Sequence, residues 1–232
     1  MKPQRCLVIA DDHPIIRAAL SATVRTAVPE AQVIEADSFA TLQTRMKEQA
    51  KVDAVLLDLA MPGARGFSSL LYLRGDYPGV PVVVVSGYDE PAVIRRALDL
   101  GAAGFISKSA SLERMGEALH AVLAGQVWRP PEADAPSDPQ EAQDRDRARA
   151  LASLTPQQSR VLVMLADGLL NKQIAHELHI TEATVKAHVT AILNKLGLHR
   201  RTQAAVLAQR LMRTEAESLR VDDVPGDAGD EG

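Results

Sequence analysis

Residues 52–66 read VDAVLLDLAMPGARG, and the fold turns on how this stretch is read. Ala54, Val55, Leu56 and Leu57 form an unbroken apolar run of strand length, the pattern of a strand buried on both faces. Asp58 stands where the run stops. Met61-Pro62-Gly63 then turns the backbone, with proline fixing φ and glycine relaxing it. A carboxylate at the C-terminal end of a parallel strand sits at the rim where α/β folds bind ligands. Taken alone, such an aspartate is more often a simple cap. Its partners elsewhere in the chain decide the matter.

Around this stretch, residues 5–125 alternate strand and helix patterns. Residues 6–10 form a short apolar strand ending in Asp11-Asp12, and Pro14 opens a helix to residue 27 with Ile16, Ala19, Leu20 and Val24 at helical spacing. Residues 32–36 are a second strand, and Asp37 or Ser38 caps a helix to residue 49. After the third strand comes a helix near 68–74, then a fourth strand, PVVVVS, at 81–86. Asp89 is placed to cap a helix with Pro91 in its first turn, and Gly101 stops it. Residues 103–107 form a fifth strand beside Lys108, and Ser111 starts a last helix. Five such units with right-handed crossovers imply a parallel sheet with helices on both faces.

In that sheet Asp11, Asp12, Asp58, Ser86 and Lys108 converge on one edge. Three uncompensated anions this close repel by several kcal/mol at an intermediate effective dielectric. Lys108 supplies one positive charge, and a hard divalent ion with oxygen ligands suits the remainder. Mg²⁺ fits, because it takes one or two carboxylates and keeps its waters.

The motifs ADDH (10–13), LLDLAMPGARG (56–66), VVVVSG (82–87) and GAAGFISK (101–108) resemble the receiver domain of bacterial two-component response regulators. The resemblance covers residues 4–124 and implies a flavodoxin-like (βα)5 domain. It implies Asp58 as phospho-acceptor, with Asp12 a direct Mg²⁺ ligand and Asp11 acting mainly through water. Asp58 and the carbonyl of Ala60 complete the protein ligands. Phe105 is then the aromatic that changes rotamer as Ser86 moves. The chemistry agrees with these residue types. A carboxylate is a competent nucleophile toward phosphorus, and Lys108 can bind a phosphoryl oxygen as a compact point charge. One departure from the wider pattern is Ser109 after Lys108, where a proline in a cis peptide is common; a trans bond is expected here.

Residues 125–152 are rich in Pro, Asp and Glu and read as a flexible, partly extended linker whose Asp/Arg-rich end can be helical. Residues 153–212 are helical throughout. Thr155, Asn171 and Thr181 are placed to cap successive helices, with Gly168 and Gly197 as stops. Two short helices joined by a tight turn at His179-Ile180 are a helix-turn-helix candidate. This segment resembles the LuxR-type DNA-binding domain, so the whole chain resembles response regulators of the NarL/FixJ subfamily: a receiver joined to an all-α four-helix domain. Charge agrees: residues 153–212 hold seven Lys and Arg against three Asp and Glu, in a chain whose net charge is −4. A locally basic module is what phosphate contacts require.

Val185, Val189, Ile192 and Leu196 repeat at helical spacing and face the core of this domain. That turns Lys186, Ala187 and Thr190 outward, where the N-terminal turns of a recognition helix meet base edges. Thr184, Lys172, Lys195 and Arg200 are expected to hold phosphates. The last helix is expected to pair with its twin in a homodimer on double-stranded DNA, as the resemblance implies. Residues 213–232 form an acidic tail, expected to be disordered at its Gly-rich end.

The single Cys6 excludes an internal disulfide and fits a reducing compartment. No apolar run approaches the roughly 18–20 residues of a membrane span. The expectation is a soluble, cytoplasmic, non-enzymatic regulator that takes phosphate from a sensor histidine kinase. Two rivals stand beside it: a constitutive DNA-binding protein with a protein-interaction receiver, and an Mg²⁺-dependent phosphohydrolase. The second lacks a substrate cap domain, and its basic half would go unused.

Overall fold

The computed structural model describes residues 5–212 apart from Arg65 and residues 135–138, and it leaves aside the side chains of residues 139–145, Leu211 and Met212. The acidic tail lies outside the described residues.

Five parallel strands form a sheet in the order β2-β1-β3-β4-β5. β1 (Cys6–Ala10), β3 (Ala54–Leu57) and β4 (Val82–Ser86) are buried along their length, as their apolar runs require. β2 (Gln32–Ala36) and β5 (Gly104–Ser107) are the edges. Strand side chains alternate between two cores. Val8, Val55, Leu57, Val82, Val84 and Phe105 pack with residues of α2 (Phe39–Glu48), α3 (Ser68–Asp76) and α4 (Pro91–Asp99). Leu7, Ile9, Leu56, Val83, Val85 and Ile106 pack with α1 (Pro14–Ala27) and α5 (Leu112–Leu123). Burying a side chain of this size contributes about 1.5–3 kcal/mol, so the central strands anchor the domain. β1 lies between β2 and β3, which is the point where strand order reverses and where such sheets open a crevice.

Local signals act mostly as expected. Ser38 caps α2 by accepting from Thr41 N at 3.3 Å, and Ser111 caps α5 by accepting from Arg114 N at 3.2 Å. Asp89 does not cap α4. The N-cap is Glu90, which makes no side-chain cap bond, and Asp89 Oδ2 instead accepts from Ser107 Oγ at 2.7 Å. A hydroxyl on the neighbouring strand's end outcompetes the helix for that carboxylate.

The stretch expected to be a flexible, partly extended linker is helical at its Asp/Arg-rich end, as expected, and is more closely seated on the α/β domain than its composition indicates. Trp128 forms a parallel bridge with Gly104, donating from its N–H to Ala103 O at 2.9 Å and accepting from Phe105 N at 3.3 Å, so it extends the sheet past β5. Residues Pro131–Asp134 make one 3-10 turn, and α6 (Pro139–Ala152) is helical. The turn and α6 both pack against α4. Ala133, Ala148 and Leu151 are buried, and Arg149 Nε meets Asp99 Oδ1 at 3.3 Å. A few small apolar residues spaced among charges are enough to seat the segment, a pattern that overall acidity conceals.

The second half is α7 (Pro156–Ala166), α8 (Asn171–Glu177), α9 (Glu182–Lys195) and α10 (Arg201–Met212). Thr155 and Gln158 form a reciprocal capping box. Asn171 is the first residue of α8 and not its cap: Gln173 accepts from Leu170 N at 2.8 Å, and Asn171 Oδ1 accepts from Arg201 at 3.2 Å. Val161, Leu165, Ile174, Val185, Ile192 and Ala208 fill the bundle core. The halves meet where α7 lies on α3. Asp76 pairs with Arg160, and Gly75 allows close approach, since a methyl there would stand 3.3 Å from Ser159 Cβ.

Candidate functional site

The sheet carries each expected residue to one rim by extending its hydrogen-bond ladder just past the strand ends. Asp11 N donates to Ala36 O at 3.0 Å, Asp58 N to Ala10 O at 2.8 Å, and Lys108 N to Ser86 O at 2.8 Å. The side chains that follow are therefore fixed in register, not left to loops. The turn after Asp58 is tied as well: Ala64 N donates to Met61 O and Phe39 N to Pro62 O, with Gly63 at φ 81°. The Lys108–Ser109 peptide is trans, as expected.

Asp11 and Asp58 are almost fully buried, with side chains 1% exposed. Lys108 Nζ lies 2.7 Å from Asp11 Oδ2 and 2.8 Å from Asp58 Oδ2. Asp58 Oδ1 accepts from Ala60 N at 3.2 Å. Burial raises the Asp58 carboxyl above the usual range; the hydrogen bond and charge of Lys108 oppose this, and the charge of Asp11 adds to it. Burial alone would lower the Lys108 ammonium, but the close approach of the Asp11 and Asp58 carboxylates leaves it raised, so it is cationic at neutral pH. Ser86 is buried, and its hydroxyl accepts from Tyr88 N at 3.1 Å. Phe105 is buried in the core face beneath this rim.

Ligand atoms of Asp11, Asp12, His13 and Asp58 all lie within 4.8 Å of one another. Asp11 Oδ2 and Asp12 Oδ1 are buried without an aligned hydrogen-bond donor. Lys108 and His13 come within 2.7 Å of them, but off the directions a hydrogen bond needs. Hard oxygen donors left unfilled at one rim are what a divalent cation requires, so the residues present fit a metal ion.

Two residues here escaped the sequence reading. His13 contributes its ring to the cluster, and Arg17 donates to the Asp11 carbonyl at 2.8 Å while its Nε meets Glu35 at 3.2 Å. His13 sits at the start of a helix and Arg17 a turn later, positions that read as ordinary capping and surface charge. Only the DDH adjacency hinted at the first.

In the second half, Thr181 accepts from Thr184 N at 3.1 Å and starts α9. Val185 and Ile192 are fully buried, with Val189 and Leu196 packed against them. Lys186, Ala187 and Thr190 are exposed along the opposite face, and Thr184, Lys172 and Arg200 are exposed too. The Thr190 hydroxyl donates back to Lys186 O at 3.0 Å. Lys195 differs from the others: its ammonium bonds to Ser153 O at 2.9 Å, at the junction of α6 and α7.

Residues 7–120 match the family described as response regulator receiver domain, and residues 152–208 match the family of bacterial regulatory proteins, luxR family. The glycerol metabolism activator of Pseudomonas putida is 37% identical over 207 residues, 87% of this chain and 94% of that protein. The nitrate/nitrite response regulator protein NarL of Escherichia coli K12 is 35% identical over 204 residues, 86% and 93% of the two chains. This chain is a two-component response regulator of the NarL/FixJ subfamily. The subfamily is one of DNA-binding transcription regulators, which are not enzymes. The solved RcsB–DNA complex is similar in fold to this response regulator, with a TM-score of 0.51 at 24% identity over 91% of this chain and 100% of that one. RcsB from Salmonella enterica serovar Typhimurium bound to promoter P1flhDC gives 0.53 at 22% identity over 89% and 98%. No helix among the response regulator's described residues is long and apolar enough to cross a membrane.

Proposed function

We propose that Asp58 accepts a phosphoryl group from a sensor histidine kinase, and that this event sets how tightly the basic bundle holds double-stranded DNA. The observation that carries this reading is the rim itself. A buried carboxylate is held between Lys108 and two acidic oxygens that lack aligned donors. An oxygen of Asp58 forms the new bond to phosphorus as the bond to the kinase imidazole nitrogen breaks, and the imidazole keeps the electron pair. Lys108, already at the acceptor, moves its charge onto a phosphoryl oxygen. The Ser86 hydroxyl turns from Tyr88 N to donate to another. Asp11, Asp12, Asp58 and the Ala60 carbonyl would hold Mg²⁺, which offsets charge on the phosphoryl oxygens when bound.

The division of labour along the chain is a receiver at 4–124, a connecting segment at 125–152, the DNA-binding domain at 153–212 and an acidic tail beyond. On DNA, Lys186, Ala187 and Thr190 read base edges, while Thr184, Lys172, Arg200 and Lys195 contact phosphates. Lys195 must first leave the Ser153 carbonyl. Two chains pair on the duplex. The protein works in the cytoplasm.

The signal has a defined route. Phe105 lies one residue past Gly104 and bonds to Trp128, and α4 carries the connecting segment through the 3-10 turn and α6. A shift of β4, Phe105 and α4 on phosphorylation is felt first by residues 128–152.

One observation favours the constitutive reading. Lys186, Ala187 and Thr190 are exposed while α7 is docked on α3, so this docking leaves the reading face open. Labelling separates the two. Radiolabelled acetyl phosphate with Mg²⁺ should leave up to one hydroxylamine-labile phosphoryl group per chain, mapped to Asp58 and lost in Asp58→Ala. No label would leave the constitutive reading, and sustained phosphate release would favour a phosphohydrolase.

A further inference from the structure

We infer that His13 is a positioning residue for the metal-binding carboxylates, holding Asp11 and Asp12 in place; this rests on the reading of the rim as a phospho-acceptor site. His13 is the N-cap of α1, with φ −89° and ψ 111°. An N-cap side chain ordinarily accepts from the first helical turn. His13 makes no such bond. Its backbone N–H donates to Asp11 Oδ1 at 2.8 Å, and its Nδ1 lies 3.2 Å from the same oxygen and 2.7 Å from Asp12 Oδ1. A carboxylate oxygen accepts, so the tautomer that serves this contact is the one with its hydrogen on Nδ1. The ring is 61% exposed, so core packing does not account for its orientation.

The consequence is geometric. Both contacts of Asp11 Oδ1 come from His13, which leaves Oδ2 as the oxygen turned toward Lys108 and Asp58. The same ring nitrogen stands 2.7 Å from Asp12 Oδ1, so the ring lies against both neighbouring carboxylates. Contacts of this kind fix the orientation of metal-binding side chains, and their loss typically weakens metal binding. An asparagine at position 13 can place an N–H donor near the site of Nδ1; an alanine cannot.

The test uses the full chain at fixed pH, titrated with MgCl₂ by calorimetry, with Asp58 labelling by acetyl phosphate followed against Mg²⁺ concentration. His13→Ala should weaken Mg²⁺ binding about threefold to tenfold. The Mg²⁺ needed for half-maximal labelling should rise in step, with the rate at saturating Mg²⁺ nearly unchanged. His13→Asn should return both to within about twofold of the native chain, which a merely structural role would not predict. Unchanged or tighter Mg²⁺ binding in His13→Ala, or no recovery in His13→Asn, overturns the inference while leaving the phospho-acceptor reading intact. A native chain that neither binds Mg²⁺ nor labels at Asp58 overturns both.

Discussion

Lys108 joins Asp11 to Asp58: its single ammonium lies 2.7 Å from Asp11 Oδ2 and 2.8 Å from Asp58 Oδ2, with both carboxylates buried. Removing one partner of a buried charge cluster strands the others. Lys108→Ala should therefore cost about 2–4 kcal/mol in urea unfolding without divalent ions. Added Mg²⁺ should recover more stability in this variant than in the native chain, because the ion supplies the missing charge. Equal recovery in both would mean that Lys108 and the metal do not share the same carboxylates.

Burial first, and the charge of Asp11 second, raise the Asp58 carboxyl despite Lys108. The stability a raised carboxyl gives is fully present below the ordinary carboxylate range and is lost as pH rises through the raised value. Without metal, Asp58→Asn should therefore gain stability on the native chain as pH rises out of the acid range, read from thermal melts in a pH series. Mg²⁺ at about 100 times its dissociation constant should add about 2.7 kcal/mol to the native chain and less to the variant. Thermal melts at two Mg²⁺ concentrations measure both.

Away from the rim, Asp53 gives the opposite pH signature. Burial would raise its carboxyl, but Lys51 at 2.9 Å and the Cys6 N–H at 2.8 Å outweigh that and leave it lowered. Its contribution is present above the ordinary carboxylate range and is lost as pH falls through the lowered value. Asp53→Ala should cost about 1 kcal/mol at pH 7, mostly for the lost backbone bond, because Lys51 is well exposed and its pairing is screened. The gap between native and variant should narrow below about pH 4 in a pH series of denaturant melts.

Gly104 faces Trp128 so closely that an added Cβ would meet Trp128 Cβ at 3.0 Å and its carbonyl oxygen at 3.3 Å. Gly104→Ala should push the connecting segment off the edge of β5. The sole tryptophan of the chain reports this directly, with emission shifted to the red and greater access to a soluble quencher. A stability loss of about 1–2 kcal/mol should accompany it. Unchanged emission would place the bridge outside the solution structure.

Much of the rim was legible because strand ends are legible. Asp11, Asp12, Asp58, Ser86 and Lys108 each follow an apolar run, and the parallel topology brings such positions together. The faces of α9 were legible for the same reason, since Val185 and Ile192 keep helical spacing. Residues whose partners lie far along the chain were not. Asp89 looked like a cap and bonds to Ser107; Asn171 looked like a cap and serves Arg201. Local spacing carries no trace of either partner. The helical character of α6 was legible in its Asp/Arg-rich sequence, but the seating of Trp128 and α6 was not, because Ala133, Ala148 and Leu151 are too few to register among the charges yet sit where burial counts.

The most direct test of the account measures what phosphate does to DNA binding. Native protein and Asp58→Ala are compared with and without beryllium fluoride plus Mg²⁺, by footprinting across a genome and by dimer fraction in solution. The account predicts that the adduct raises operator occupancy or dimer fraction in the native chain and changes neither in Asp58→Ala. Equal occupancy and equal dimer fraction in all four samples would contradict it.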